Sequence, residues 1–259
     1  PGLGNVEVNL AFLEEFLQFC KASHSPLDFV SWHTYPEGRP PYHVAEKAQE
    51  IQHLLEAYDF DNVENLMTEW NFALPPLDWR ARGAAWVASV LMYLQHTTIS
   101  RAFRFAPYNV RFDKAAYAFL AMKKMLDAPV MLACIGSNNV GFATLAGRSQ
   151  DGDTVRVLIS DFDTDYDEFV LTVNGLPWQG KIVVVEIYLI DDTHDMAVVD
   201  RLEQIQSGSL VIRHKIKPSS VYLISLQAKQ PSAEATTHSE TTSPPTPVGL
   251  IGQSLLPVC

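Results

Sequence analysis

Over its first 130 residues the chain alternates helical and strand patterns, and this alternation limits the fold more than any other feature. Residues 5–22 predict a helix. Leu10, Leu13, Leu17 and Cys20 recur at helical spacing, Phe12, Phe16 and Phe19 widen the stripe, and Asn5 stands as its cap. The apolar run 28–33 predicts a strand, and Pro36, Gly38, Pro40 and Pro41 a loop. A helix follows at 43–58, with Val44, Ala48, Ile51, Leu55 and Tyr58 as its buried stripe. Then come a strand at 64–69, a loop with Pro75 and Pro76, and a helix at 79–96 striped by Trp86, Val87, Val90, Leu91 and Leu94. A strand at 99–105 and a helix at 114–126 close the series.

Strands joined by helical crossovers form a parallel sheet. Three strands are too few to close a barrel. The expected fold class is therefore α/β: the carboxy-terminal half of a (β/α)8 TIM barrel, about strands 6–8, occupying residues 1–130. The chain opens on Pro1 without an initiator Met or a charged-then-apolar leader, which reads as the middle of a longer protein that supplies the amino-terminal half-barrel.

The period changes near Pro129. Short alternating runs at 140–146, 154–160, 168–173, 181–190, 209–214 and 220–226 are separated by turns such as 150–153 and Asn174-Gly175. They predict an all-β sandwich over 131–228. Residues 229–259, rich in Thr, Ser and Pro, cannot build a core and read as a flexible tail.

A net charge of −11 argues against a nucleic-acid partner, which selects for a basic face. No apolar run reaches the roughly 18 residues of a membrane span. Cys20, Cys134 and Cys259 make no disulfide framework. Nothing in the sequence assigns a compartment.

Two predicted strands end in chemistry. His33 and Tyr35 finish the first, with Trp32 and Thr34 between and before them; Glu69 finishes the next, followed by Trp70 and Asn71. Reactive groups of a β/α barrel gather at the carboxy-terminal ends of its strands, and adjacent strands lie about 4.8 Å apart. His33 or Tyr35 is thus expected to reach Glu69. Hydrogen bonds from a phenol or imidazole N–H favour a carboxylate's charged form and fix its rotamer, as a carboxylate nucleophile requires. Trp32 and Trp70 are candidate platforms for stacking a sugar ring. Each residue alone has a plainer reading: a solvated strand-end Glu, a structural His, a Tyr packing the turn at Pro36, and two core indoles. His194 among Asp191, Asp192 and Asp195 reads as an acidic turn rather than a metal site, and Arg101, Arg104 and Arg111 as ion-pair partners or as contacts for a ligand's carboxylate.

The segment Asp28 to Pro36, followed one strand-helix unit later by Leu66 to Asn71, resembles glycoside hydrolase family 39, the β-xylosidases and α-L-iduronidases. The segments 148–161, 188–194 and 217–226 resemble its later parts, so the resemblance covers nearly everything to about residue 228. It implies a retaining hydrolase acting on an oligosaccharide or glycoside, without metal or organic cofactor, in which Glu69 is the catalytic nucleophile and His33 and Tyr35 line the site. Trp32, Trp70 and Asn71 would be platform or supporting residues. The family's acid/base Glu follows an Asn on strand four; neither Asn5-Val-Glu7 nor Asn62-Val-Glu64 matches that pattern or place. On this view the chain alone has little activity and an uncovered sheet face. A related hydrolase of different sugar specificity and a non-catalytic carbohydrate-binding relative stand as alternatives.

Overall fold

A computed structural model describes residues 2–72, 80–105 and 114–229. The predicted elements at 73–79 and Arg111 lie outside the described residues, as does the tail from 230 onward. The first half holds strand β1 (Gly2–Asn5), helix α1 (Val6–Ser23), β2 (Phe29–Thr34), α2 (Tyr42–Ala57), β3 (Glu64–Trp70), α3 (Ala81–Leu94), β4 (Ile99–Arg104) and α4 (Ala115–Met125). The four strands form one parallel sheet in sequence order. The expectation of three strands is corrected here. The opening residues, which carry no apolar alternation, pair with β2 before the chain turns into α1.

One face of this sheet is the core. Val30 and Trp32 of β2 and Met67 and Trp70 of β3 are wholly buried against Leu13 and Leu17 of α1, Val44, Ala48 and Ile51 of α2, and Trp86 and Val90 of α3. Phe12 and Phe19 do not widen the α1 stripe but stay exposed; α1 flanks the edge strand β1 and packs beside α2 among the described residues. The other sheet face carries Phe29, Ser31 and His33 of β2 and Arg101 and Phe103 of β4. Phe29 and Phe103 are both exposed there.

The second half is antiparallel. Its strands are β5 (Val130–Leu132), β6 (Phe142–Arg148), β7 (Thr154–Asp161), β8 (Glu168–Val173), β9 (Ile182–Ile190), β10 (Asp195–Ile205), β11 (Leu210–Lys215) and β12 (Ser220–Ala228). Six form a sheet in the order β10-β9-β12-β7-β6-β5, and β8 pairs with β11. The sequence reading missed β5, only three residues long, and β10, an edge strand whose mostly exposed residues show no apolar period.

The large sheet is buried on both faces at its centre. Along β12, Val221 and Leu223 join the core of α3 and α4, whereas Tyr222, Ile224 and Leu226 join a second core with Phe169, Leu210 and Ile212 of β8 and β11. Helix α3 lies between the two sheets, so every one of its residues but Arg82 is buried. At Gly147 of β6 a Cβ would stand 2.1 Å from the Ala128 carbonyl oxygen; only glycine lets the end of the α/β half approach so closely.

Candidate active site

Glu69 owes its position to a local irregularity. Trp32 is paired with Met67, but the next residue, His33, is paired with Glu69, leaving Thr68 as an extra residue in β3. The same interval is one residue longer than in β4, where Met67 pairs with Ala102 and Trp70 with Arg104. This is a β-bulge, the device that re-aims a side chain at the end of a strand. Met67 and Trp70 both enter the helix-side core with two residues between them, so Thr68 and Glu69 together turn to the open face. Strict alternation from Met67 would have driven Glu69 into the core.

On the open face Tyr35 donates its phenol hydrogen to Glu69 Oε1. His33 Nδ1 lies 3.6 Å from Glu69 Oε2, with the two side chains about one-third exposed at 36% and 32%. Burial first, then the hydrogen bond to Glu69 and that carboxylate's charge, push the Tyr35 phenol well above its ordinary value of 10.0. Tyr35 is therefore a donor throughout the neutral range. Its ring stands edge-on to Phe105, with centroids 6.3 Å apart.

Asn71 fastens the strand ends beneath this group. Its backbone N–H donates to Thr34 at 3.4 Å, its Nδ2 to the Phe105 carbonyl at 2.7 Å, and its Oδ1 accepts from the Phe72 N–H at 2.8 Å. Phe105 N–H in turn donates to the Trp70 carbonyl at 2.9 Å. One buried amide thus ties β2, β3 and the residue after β4. Arg104 Nε also reaches Asn71 Oδ1, at 3.4 Å.

The structure brings together Glu69, Tyr35 and His33, with Asn71 supporting them. It does not bring Trp32 or Trp70 to the site. Both indoles are fully buried on the helix side: Trp32 Nε1 donates to Asn65 Oδ1 at 2.7 Å, and Trp70 packs against Trp86 and Phe119. A wholly buried ring offers no face for a sugar to stack on, so the platform expectation is corrected for both. Arg101 lies exposed on the open face opposite Leu66. Phe105 was not singled out from sequence; its place at the end of the third predicted strand, level with Tyr35, was the available signal.

Among the described residues no group of three or more His, Cys, Asp or Glu side chains is placed to hold a metal ion. No helix there is long and apolar enough to cross a membrane. His194 and Asp191 form a tight turn instead. Burial raises the Asp191 carboxyl, but hydrogen bonds from the N–H groups of Thr193 and His194 and from both their side chains outweigh it and hold the group below its usual value.

A carboxylate, a phenol and an imidazole thus meet at the ends of adjacent parallel strands, the place where β/α sheets carry their reactive groups. The fold comparison points the same way. A glucosidase from Croceicoccus marinus matches with a TM-score of 0.77 and 26% identity, over 89% of this chain and 60% of that one. A glycoside hydrolase family 39 enzyme from Xanthomonas axonopodis pv. citri matches at 0.65 and 14%, over 87% and 59%. A monomeric β-xylosidase from Caulobacter crescentus CB15 matches at 0.64 and 15%, over 83% and 59%. The resemblance to family 39 read from the two strand-end motifs is thus repeated in the fold. The chain spans about 60% of the length of the first of these structures. No sequence-family profile matches the chain, and no curated protein sequence does.

Proposed function

We propose that this chain is the carboxy-terminal part of a retaining glycoside hydrolase, with Glu69 as nucleophile and a β-xyloside as substrate. The observation that carries the reading is the bulge that turns Glu69 onto the open sheet face, where Tyr35 donates to it and His33 stands 3.6 Å away. In the proposed reaction the Glu69 carboxylate attacks the anomeric carbon as a second carboxyl group protonates the departing oxygen. The glycosyl ester on Glu69 is then hydrolysed by water that the same second group deprotonates, which restores both residues. Tyr35 fixes the carboxylate's rotamer and His33 lines the sugar site. No step calls for a metal or organic cofactor.

The second carboxyl group would come from preceding strands of the parent protein. β1 through β4 would be the last four strands of an eight-stranded barrel, and the missing half would cover the face bearing Phe29 and Phe103. Residues 2–128 would then form the barrel part and 130–229 an accessory β part. The likeness to the Croceicoccus glucosidase, the match with the greatest identity among those described, favours a glucoside as the second reading.

The test is labelling of the intact parent with 2-fluoro-xylosyl and 2-fluoro-glucosyl reagents, followed by peptide mapping. An adduct on Glu69 supports the nucleophile and retention together, and the faster reagent names the sugar. A folded protein that takes no label, or takes it elsewhere, sinks the assignment.

A further inference from the structure

The acidic turn between β9 and β10 reaches across to the α/β half. Asp192 Oδ1 accepts the Ala81 N–H at 3.2 Å, at the first turn of α3. Arg80, the residue before α3, has an extended backbone and makes no side-chain cap, so the helix takes its carboxylate from 111 positions away. A carboxylate at a helix amino terminus satisfies a free N–H and complements the helix dipole. Three residues beyond Asp192, Asp195 pairs with Lys114, which precedes α4 and also donates to the His194 carbonyl at 3.3 Å. One turn therefore holds the starts of α3 and α4, the helices that follow β3 and β4.

A second tie lies beside it. The Arg82 guanidinium sits between the rings of Phe72 and Phe162, 4.8 Å from each centroid. Its Nε and Nη2 donate to Asp163 Oδ2 at 2.9 and 2.6 Å. Phe162 and Asp163 follow β7, whereas Phe72 is joined to Asn71, the amide that fastens the strand ends under Glu69. Phe72 and Phe162 also touch directly, at 5.7 Å. Between Asp163 and the Glu69 segment there is thus an unbroken series of contacts. Both rings are buried while the Arg82 and Asp163 side chains stay 41% exposed, so the rings fix where the guanidinium sits more than they strengthen its pull.

We propose that Arg82 and Asp192 are positioning residues, through which the β-rich half sets the geometry of the strand-end site. The inference rests on reading Glu69 as the reacting carboxylate. Neither residue touches Glu69: Asp192 fixes the start of α3, whose Trp86 packs behind Trp70 of β3, and Arg82 stacks on Phe72, whose N–H donates to Asn71 Oδ1. The acidic turn singled out in the sequence is then a clamp rather than a cation site.

The experiment compares Arg82→Lys, Asp192→Ala and Asp192→Asn in the intact full-length protein. It measures kcat and KM on nitrophenyl β-xyloside and β-glucoside, and hydrogen exchange of peptides covering 66–72 and 81–94. Lysine keeps the charge but not the planar stack, and asparagine keeps the acceptor that alanine lacks. Arg82→Lys and Asp192→Ala should lower kcat about 10-fold with KM within about twofold, as slight misplacement of a reacting group does. Asp192→Asn should restore kcat to within about twofold of the parent. Exchange at 66–72 should quicken in Asp192→Ala and Arg82→Lys and return to normal in Asp192→Asn. Lower melting temperatures with kcat unchanged in both disruptive variants would overturn the proposal. So would unaltered exchange at 66–72. A parent inactive on both glycosides would count against the proposed function alone, and the exchange pattern would still decide the clamp.

Discussion

The two sheets use their faces differently. The parallel sheet buries one face under its helices and leaves the other, with Phe29, Glu69, Arg101 and Phe103, uncovered by any described residue. The large antiparallel sheet buries both faces at its centre, one of them against α3 and α4. In the first, the side chains proposed to do chemistry are free to face a ligand. In the second, alternate residues are committed to packing, and the half proposed to be reactive is held from behind. A polar group is cheap on the open face and expensive at the centre of the covered sheet.

The sharpest test of the contrast is Glu69→Gln, which should lower kcat on a glycoside on the order of 10⁴-fold or more while leaving the melting temperature nearly unchanged. A large loss of stability would mean that Glu69 is a packing residue. Next in size, Leu223→Ala on β12 should destabilise by about 2–5 kcal/mol by opening a cavity in the shared core. Leu66→Ala, on the open face of the parallel sheet, should lose far less in the same denaturant titration. Equal losses would break the comparison.

Tyr35→Phe keeps the ring against Phe105 and removes the donor. A fall in kcat of about 10-fold, worth roughly 1.4 kcal/mol, is expected with little change in fold. The raised phenol also sets a pH dependence. With its folded value above 10.0, Tyr35 contributes stability that is complete below pH 10.0 and lost as the pH rises beyond it, when the unfolded chain ionises first. Alkaline melting curves of Tyr35→Phe should fall less steeply above that point.

The smallest effect belongs to Asp161, at the end of β7. Its Oδ1 accepts from the Thr164 N–H and hydroxyl, while its Oδ2 is buried without a hydrogen-bond partner. Burial raises its carboxyl above 3.8 in the folded protein, against the hydrogen bonds from Thr164, which lower it. The folded state therefore binds the proton more tightly, and stability drops as pH climbs from 3.8 through the folded value. Asp161→Asn keeps an acceptor for Thr164 and removes the charge. It should melt slightly higher than the parent at pH 7, with the gap closing toward pH 4. A gap that widens in acid would refute the assignment.

Helices and paired strands were legible wherever one face was apolar and the other polar. The predicted strand at 168–173 coincides with β8, and the predicted helix at 43–58 with α2 to within one residue at either end. β10 was illegible because an exposed edge strand has no buried face to print a period, and β1 because four residues rich in glycine carry none. The strand-end cluster was legible as composition, through Glu69, His33 and Tyr35. The roles of Trp32 and Trp70 were not, since an indole reads alike whether it faces a core or a sugar.

The sequence alone determined that a parallel α/β layer precedes antiparallel strands, and that a carboxylate, a phenol and an imidazole end adjacent strands. Both follow from local periodicity and from residue types at fixed offsets. Only the tertiary structure decided which way Glu69 points. Alternation from Met67 aims it inward, and the extra residue Thr68 reverses this because β2 and β4 each pair across the bulge one residue short. The same holds for Asp192 and Arg82, whose partners lie 111 and 81 positions away in the chain. A contact between such distant residues leaves no period in the sequence; it exists once the two sheets have packed on α3.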